Sequence, residues 1–335
     1  MRGSELPGER EQIAHAEAPP ALTPARVRRI RTAFLGWYDA NGNDFPWRDA
    51  RDPYAALVAA VCSQQTQMSR VLPLWERWMA AFPTLEAAAE ADRAEVLRVW
   101  AGAGYPRRAL ALRDTARRCL EEHRGTLPRD PEALLALPGV GPFTAAVVRC
   151  FGWADPAPAI DTNVVRVLGR LVHGDLQPAK ETPSSEVVAT AEALLPPADV
   201  VRWNPALMDY GAKVCLPRPR CEACVVADEC AARPRFARGE TADPVRAQAR
   251  FEDSNRQWRG RILRALREHE GAMRVSTLVR GLARSPGEEP KLRALLDGLC
   301  SEGMAWRHGA WCGLGDRPAP PPRGASRARR PASGV

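Results

Sequence analysis

Apolar positions recur at intervals of three and four along most of the chain. Leu57, Val58 and Val61 share one helical face, and Leu134, Leu135 and Leu137 repeat the spacing further on. Proline and glycine cut this pattern at Pro46, Pro53, Pro83, Gly102, Pro128 and Pro138. It predicts a succession of short helices from position 23 to about 230, with strand-like alternation scarce. Residues 234–255 are polar and read as a linker. Beyond them, 261–269, 275–282 and 292–301 regain helical spacing, whereas 304–312 alternates about Gly309 like a small hairpin. Three helices followed by a hairpin have the order of a winged helix. The expected fold class is all-α. The chain is organised as a tail (1–22), a helical body (23–232) ending in a cysteine loop (212–232), a linker (233–255), a winged-helix-like module (256–315) and a proline- and arginine-rich tail (316–335). Both tails have the composition of disordered chain.

Composition adds limits rather than a function. A length of 335 residues allows two or more domains. The net charge of +8 and pI of about 9.3 favour a polyanionic partner. Yet Lys180, Lys213 and Lys291 are the only lysines among 48 basic residues, and with 31 prolines and abundant alanine the arginine excess also fits a GC-rich coding bias. Basicity alone therefore decides little. No apolar run approaches a membrane span, and residues 1–20 lack the apolar core of a signal peptide. Nine cysteines without such a signal imply a reducing, cytoplasmic setting, where clustered thiols hold metal rather than form disulfides.

Two segments carry candidate chemistry. Leu137-Pro138-Gly139-Val140-Gly141-Pro142-Phe143-Thr144 reads as a tight hairpin between two helices. Pro138 ends the first helix, Gly139 and Gly141 let the backbone turn, and small residues open the second. Free N–H groups at that helix start can hold a phosphate. Asp161, in Ile160-Asp161-Thr162-Asn163, follows about one helix later. A nucleic-acid grip with a lone carboxylate points to chemistry on a nucleotide, although Asp161 also suits the cap of a helix over 162–171. Cys215, Cys221, Cys224 and Cys230 form C-x5-C-x2-C-x5-C. Four thiolates so close can wrap either a [4Fe–4S] cluster or a structural zinc, and the spacing leaves both open. Arg218 and Arg220, inside the first gap, either rest on a phosphate or are solvated. Cys62, Cys119, Cys150, Cys300 and Cys312 read as core thiols.

In this order, the hairpin, the segment around Asp161 (159–170) and the cysteine loop resemble the endonuclease III, or helix-hairpin-helix, superfamily of DNA glycosylases. Further segments resemble its adenine-glycosylase, MutY-type branch: Phe45-Pro46-Trp47-Arg48, Gln64-Gln65-Thr66-Gln67, Trp100-Ala101-Gly102-Ala103-Gly104-Tyr105, and Asn204-Pro205-Ala206-Leu207-Met208-Asp209-Tyr210-Gly211-Ala212. The resemblance covers roughly 23–232. It implies a two-lobed helical core with DNA between the lobes, a [4Fe–4S] cluster on the cysteine loop, and extrusion of the target nucleotide. Its implied DNA contacts are Gln64, Gln65 and Gln67 near the gap left in the duplex, and Leu137, Gly139, Val140, Gly141, Phe143 and Thr144 of the hairpin. The partner is double-stranded DNA with a mismatch or damaged base, engaged by a monomer.

Three departures qualify this. The first cysteine gap is five residues, where the family usually has six, which keeps zinc in play. The adenine branch carries a catalytic glutamate four residues before the first glutamine of its QQTQ run; here that position is Ala60, and no acid occurs from 53 to 75. The branch also usually adds a Nudix-like domain that reads 8-oxoguanine, in place of which stands the winged-helix-like module. Asp161, ionised, can stabilise an oxocarbenium-like sugar and position water. Phe143 stands where lyase-active members carry a lysine, so a monofunctional glycosylase is expected. Without the glutamate, Gln64, one turn from Ala60 on a common helical face, could hydrogen-bond the leaving base; Asp44, Asp49 and Tyr105 are the candidate substitute acids, or else surface or structural residues. The expected reaction is removal of adenine opposite 8-oxoguanine or guanine. The alternatives are a glycosylase for a readily leaving base (uracil or thymine opposite G, or an alkylated purine) and a catalytically weak lesion- or mismatch-binding protein.

Overall fold

The computed structural model describes residues 21–49, 51–178, 184–242 and 251–318. Most of both expected tails, and positions 243–250 of the expected linker, lie outside the described residues. Numbered along the chain, the helices are α1 (Pro24–Asn41), α2 (Pro46–Asp49), α3 (Pro53–Ser63), α4 (Met68–Ala81), α5 (Leu85–Glu90), α6 (Arg93–Val99), α7 (Arg107–Glu122), α8 (Pro131–Leu135), α9 (Pro142–Val147), α10 (Thr162–His173), α11 (Ser185–Leu194), α12 (Val200–Lys213), α13 (Arg233–Ala237), α14 (Asn255–Glu268), α15 (Val275–Leu282) and α16 (Glu289–Ser301). Several starts are set by a cap followed by proline. Thr23, Asp52 and Asp130 each accept a hydrogen bond from a first-turn N–H, and each precedes a proline whose missing donor would have been idle there.

The chain forms two compact units. The first comprises the described residues up to Asp44 and those from Pro156 to 242; the second comprises Phe45–Asp155 and 251–318. In the first unit, α10 puts Val164, Val165, Leu168 and Leu171 against Ile30 and Phe34 of α1 and against Trp203, Leu207 and Tyr210 of α12. Phe34 meets Trp203 and Tyr210 edge-on, at centroid distances of 5.8 and 4.8 Å. Cys215, Cys224 and Cys230 pack on this same core, so its packing fixes the cysteine loop.

In the second unit α3 is buried along its whole length from Tyr54 to Cys62, as a helix apolar on every side must be. α4, α7 and α9 pack around it. Gly152 lies against the start of α3: a Cβ there would stand 2.6 Å from the Pro53 Cα. The C-terminal part of this unit holds α14–α16 and a three-stranded antiparallel sheet of β1 (Met273–Arg274), β2 (Ala305–His308) and β3 (Trp311–Leu314), in the order β1-β3-β2. β1 has no counterpart in the sequence reading, because two residues are too few to show a period. This module is fastened to the helices before it. Glu302 accepts from Arg107 of α7 and from Arg259 of α14, Arg93 pairs with Asp316 at 3.1 Å, and a Cβ on Gly315 would collide with the Ala94 N at 2.4 Å.

Candidate active site and nucleic-acid contacts

The glycine hairpin belongs to the second unit. Val140 N donates to Leu137 O at 3.2 Å across Pro138-Gly139, and Gly139 supplies the left-handed φ of 74° that the third position of such a turn requires. α7 braces it: Thr115 Oγ1 donates to Pro138 O at 2.6 Å and Arg118 Nη1 to Ala136 O at 3.0 Å. A Cβ on Gly139 would also press on the Ala111 Cβ at 2.9 Å. Gly141 plays a different part from the one expected. Its φ of −97° suits any residue, but a Cβ there would meet nothing within 4 Å, so this glycine keeps an open surface bare. Leu137 and Val140 turn their side chains into the core, which leaves the hairpin's backbone, not those side chains, to face a partner. No side chain caps α9, and its first-turn N–H groups, at Phe143 and Thr144, have no intrahelical acceptor. Phe143 is half-buried and Thr144 buried.

The glutamine run also differs from expectation. α3 ends at Ser63, so Gln64 lies beyond the helix rather than on a face shared with Ala60, which is itself buried. The amide of Gln64 donates to Thr144 Oγ1 at 3.2 Å, tying the glutamine turn to α9. Gln65 is exposed with φ of 53°, and Gln67 is the exposed first residue before α4. Arg108 holds this turn. Its guanidinium donates to Val61 O, Gln64 O and Thr66 Oγ1 on one side and to Ala103 O and Gly104 O on the other, and lies over the rings of Trp100 and Tyr105. A small cleft of about 180 Å³ opens here, lined by Gln64, Arg107, Arg108, Thr115 and Gly139 among others. The substitute acids find no enclosed site: Asp44, Asp49 and Tyr105 are exposed.

Asp161 belongs to the first unit and caps α10, which runs two residues past the expected end at 171. Its Oδ1 accepts from Asn163 N at 2.9 Å and Val164 N at 2.7 Å, and its Oδ2 from Asn163 Nδ2 at 2.9 Å. The residue is half-buried, but its carboxyl lies deep. Burial pushes its pKa above the ordinary value, against the pull of those three hydrogen bonds and of Arg166. Arg166 donates to Asn163 Oδ1 at 2.8 Å, Gly211 O at 2.7 Å and Cys215 O at 2.7 Å. A Cβ on Gly211 would stand 2.6 Å from the Asn163 Cβ, so only glycine leaves Asn163 its place. Asn204, buried in α12, accepts from Ala159 N at 3.0 Å and donates to Ala157 O at 2.9 Å, fixing the segment that leads into Asp161. The sequence reading missed Asn163, Arg166, Arg170 and Arg108. A signal for two of them was present: Arg166 and Arg170 stand four apart in the otherwise apolar run Val164-Val165-Arg166-Val167-Leu168-Gly169-Arg170-Leu171-Val172.

That spacing turns both arginines toward the cysteine loop. Arg170, 1% exposed, donates to Leu176 O at 3.0 Å, Leu216 O at 2.6 Å, Pro217 O at 3.0 Å and, more weakly, Cys215 Sγ at 3.6 Å. Cys230 Sγ donates to Arg170 O at 3.6 Å. Burial raises the thiol pKa values of Cys215, Cys221 and Cys230, the last to about 11. Among the described residues no three His, Cys, Asp or Glu side chains lie close enough to hold one metal ion. The donor set is nevertheless four cysteines on a folded loop. Four thiolates on one loop are the donor set of either a cluster that gives each thiolate its own iron or a single tetrahedral zinc. Arg218 and Arg220 are exposed. Cys62, Cys119, Cys150 and Cys312 are buried and Cys300 half-buried.

Comparison with known proteins gives the chain its family. A family model described as the HhH-GPD superfamily base excision DNA repair protein matches residues 58–192. The adenine DNA glycosylase of Mycolicibacterium smegmatis is 40% identical over 237 residues, covering 70% of this chain and 79% of the relative. That of Mycobacterium tuberculosis (strain ATCC 25618 / H37Rv) is 41% identical over 262 residues, covering 77% and 84%. Among solved structures, a thermostable thymine-DNA glycosylase superposes with a TM-score of 0.57 at 27% identity, covering 63% of this chain and 98% of its own. The chain belongs to the HhH-GPD superfamily of base excision DNA repair proteins, and within it to the DNA glycosylases. No helix among the described residues is long and apolar enough to cross a membrane.

Proposed function

We propose that the protein binds double-stranded DNA and hydrolyses the N-glycosidic bond of adenine mispaired with 8-oxoguanine or guanine, without a lyase step. The observation that carries the chemistry is Asp161: a desolvated carboxyl, fixed by three hydrogen bonds, whose anion gains most from a positive charge developing beside it. As the C1′–N bond breaks, its electron pair leaves with the base. The sugar becomes cationic opposite the Asp161 carboxylate, water adds at C1′, and the proton it loses ends, through solvent, on the departed base. Phe143 offers no amine for a Schiff base. The similarity to adenine glycosylases supports adenine as the base. DNA phosphate would be held by the backbone of Gly139 and Gly141 and the first turn of α9, with Gln65 entering the gap in the duplex.

Ala60 favours a second reading. Neutral adenine needs a proton to leave, and the three acids that could stand in for the missing glutamate, Asp44, Asp49 and Tyr105, are exposed, whereas thymine or uracil departs as a stabilised anion. The thymine-DNA glycosylase likeness points the same way. Duplexes carrying A opposite 8-oxoguanine or G, or T or U opposite G, followed by alkali, decide between the two. Alkali-dependent cleavage on the A duplexes is expected. Cleavage confined to T or U gives the second reading, and binding without excision on any duplex overturns both. A borohydride-trapped protein–DNA adduct would overturn the monofunctional assignment.

The four cysteines Cys215, Cys221, Cys224 and Cys230 would hold a [4Fe–4S] cluster, which when bound would cross-link the loop and hold Arg166 and Arg170 in place. Protein purified without air is expected to contain iron and acid-labile sulfide in equal amounts. Zinc without iron would overturn the assignment.

A further inference from the structure

The winged module carries an exposed row of side chains that the chemistry above does not use. In its sheet, Arg274 pairs with Trp311 across β1 and β3, and His308 pairs with Trp311 across β2 and β3. Residues paired in this way stand on one face, so Arg274, Trp311 and His308 form a line across all three strands. Trp311 is 44% exposed, and the Arg274 guanidinium lies over its ring at 5.1 Å. The module's other sheet tryptophan shows the contrast: Trp306 is half-buried and lies across Gly313, where a Cβ would be 2.6 Å from its Nε1. Trp311 has no such seat. Arg307 beside it is engaged by Asp297, but neither Arg274 nor His308 has an ion-pair partner among the described residues. The row lies at the free end of the hairpin. The opposite end, at Gly315, is pressed against Ala94, four residues and about 13 Å along β3.

We propose that this row is a second DNA contact, which engages the duplex flanking the target base. Arg274 and His308 meet phosphates, and the Trp311 ring packs against the groove edge between them. An arginine and a histidine N–H donor around an exposed ring, with no carboxylate paired to either among the described residues, fit a polyanion that also offers flat apolar surface. An acidic protein is the other occupant of such a patch, and it would leave the affinity of these variants for both duplexes unchanged, the outcome that overturns the proposal. The inference rests on the DNA partner proposed above, but not on which base is removed.

The test measures binding by fluorescence anisotropy on two duplexes with the same central mispair, one of about 12 and one of about 30 base pairs, using the full chain. Trp311→Ala is expected to weaken binding to the longer duplex roughly tenfold, the size of one aromatic contact, and to leave the shorter within twofold. Trp311→Phe should retain most of the affinity. The double variant Arg274→Gln, His308→Gln should lower the slope of log affinity against log salt by about one on the longer duplex alone. Unchanged affinity on both lengths, or an equal loss on both, would overturn the proposal. If the wild type excised nothing, yet Trp311→Ala still lost affinity for the longer duplex alone, the glycosylase reading would fall and this one would stand.

Discussion

Asp161→Asn is expected to lower the excision rate by on the order of 10²–10³-fold, the cost of removing one preorganised electrostatic group, while making the protein more resistant to heat at pH 7. The two effects share a cause. The folded-state pKa of Asp161 lies above its unfolded value, so the group favours the fold only below the ordinary carboxylate range, and that contribution is lost as pH rises through the raised value. At neutral pH the buried anion is a cost, offset in part by Asn163 N, Asn163 Nδ2, Val164 N and Arg166. Asparagine still caps a helix well and carries no charge to desolvate. Melting curves across pH check this: the variant should exceed the wild type at pH 7, and the gap should close as pH falls toward about 4. A variant less stable than the wild type at neutral pH would show that Asp161 is a structural cap and not a charge held for catalysis. The same pKa gives the activity profile of the wild type an acid limb above the ordinary carboxylate range.

Arg170→Met should unfold the cysteine loop. The guanidinium is buried and serves three carbonyls, those of Leu176, Leu216 and Pro217, with Phe236 stacked on it at 5.1 Å. Methionine fills part of the volume but donates nothing, and each abandoned carbonyl costs about 1–3 kcal/mol where water cannot reach it. A loss of about 3–5 kcal/mol is expected in denaturant unfolding, a large share of a typical domain's stability. Arg170→Lys should recover less than half, because one ammonium cannot span a fork of acceptors. Iron bound per chain should fall with stability in Arg170→Met. An unchanged midpoint and iron content would show that the loop stands without this side chain.

The helices were legible in the sequence because the apolar period and the proline and glycine breaks agree. Pro46 and Pro53, read as cuts in the pattern, stand at the first residues of α2 and α3. The glutamine turn was misjudged because α3 stays apolar up to Cys62, and nothing in the composition of Ser63-Gln64-Gln65 says that the chain leaves the helix. Gly141 was credited with a turn that Gly139 makes alone, since sequence cannot separate a glycine needed for φ from one needed for open surface. The arginines were missed for a different reason. Arg108 and Arg170 are held mostly by backbone carbonyls, and a carbonyl leaves no trace in the sequence.

One bond, from the Gln64 amide to the Thr144 hydroxyl, joins the turn that would enter the emptied base step to the helix start that would grip the strand. Together with the Arg108 clamp, it makes a caliper of fixed opening. If these two parts hold DNA as proposed, a strand whose phosphate and vacant step were differently spaced would have to break this bond or deform. On that proposal the duplex would bend to the gauge, and a lesion that softens it would be sensed before any bond is cut.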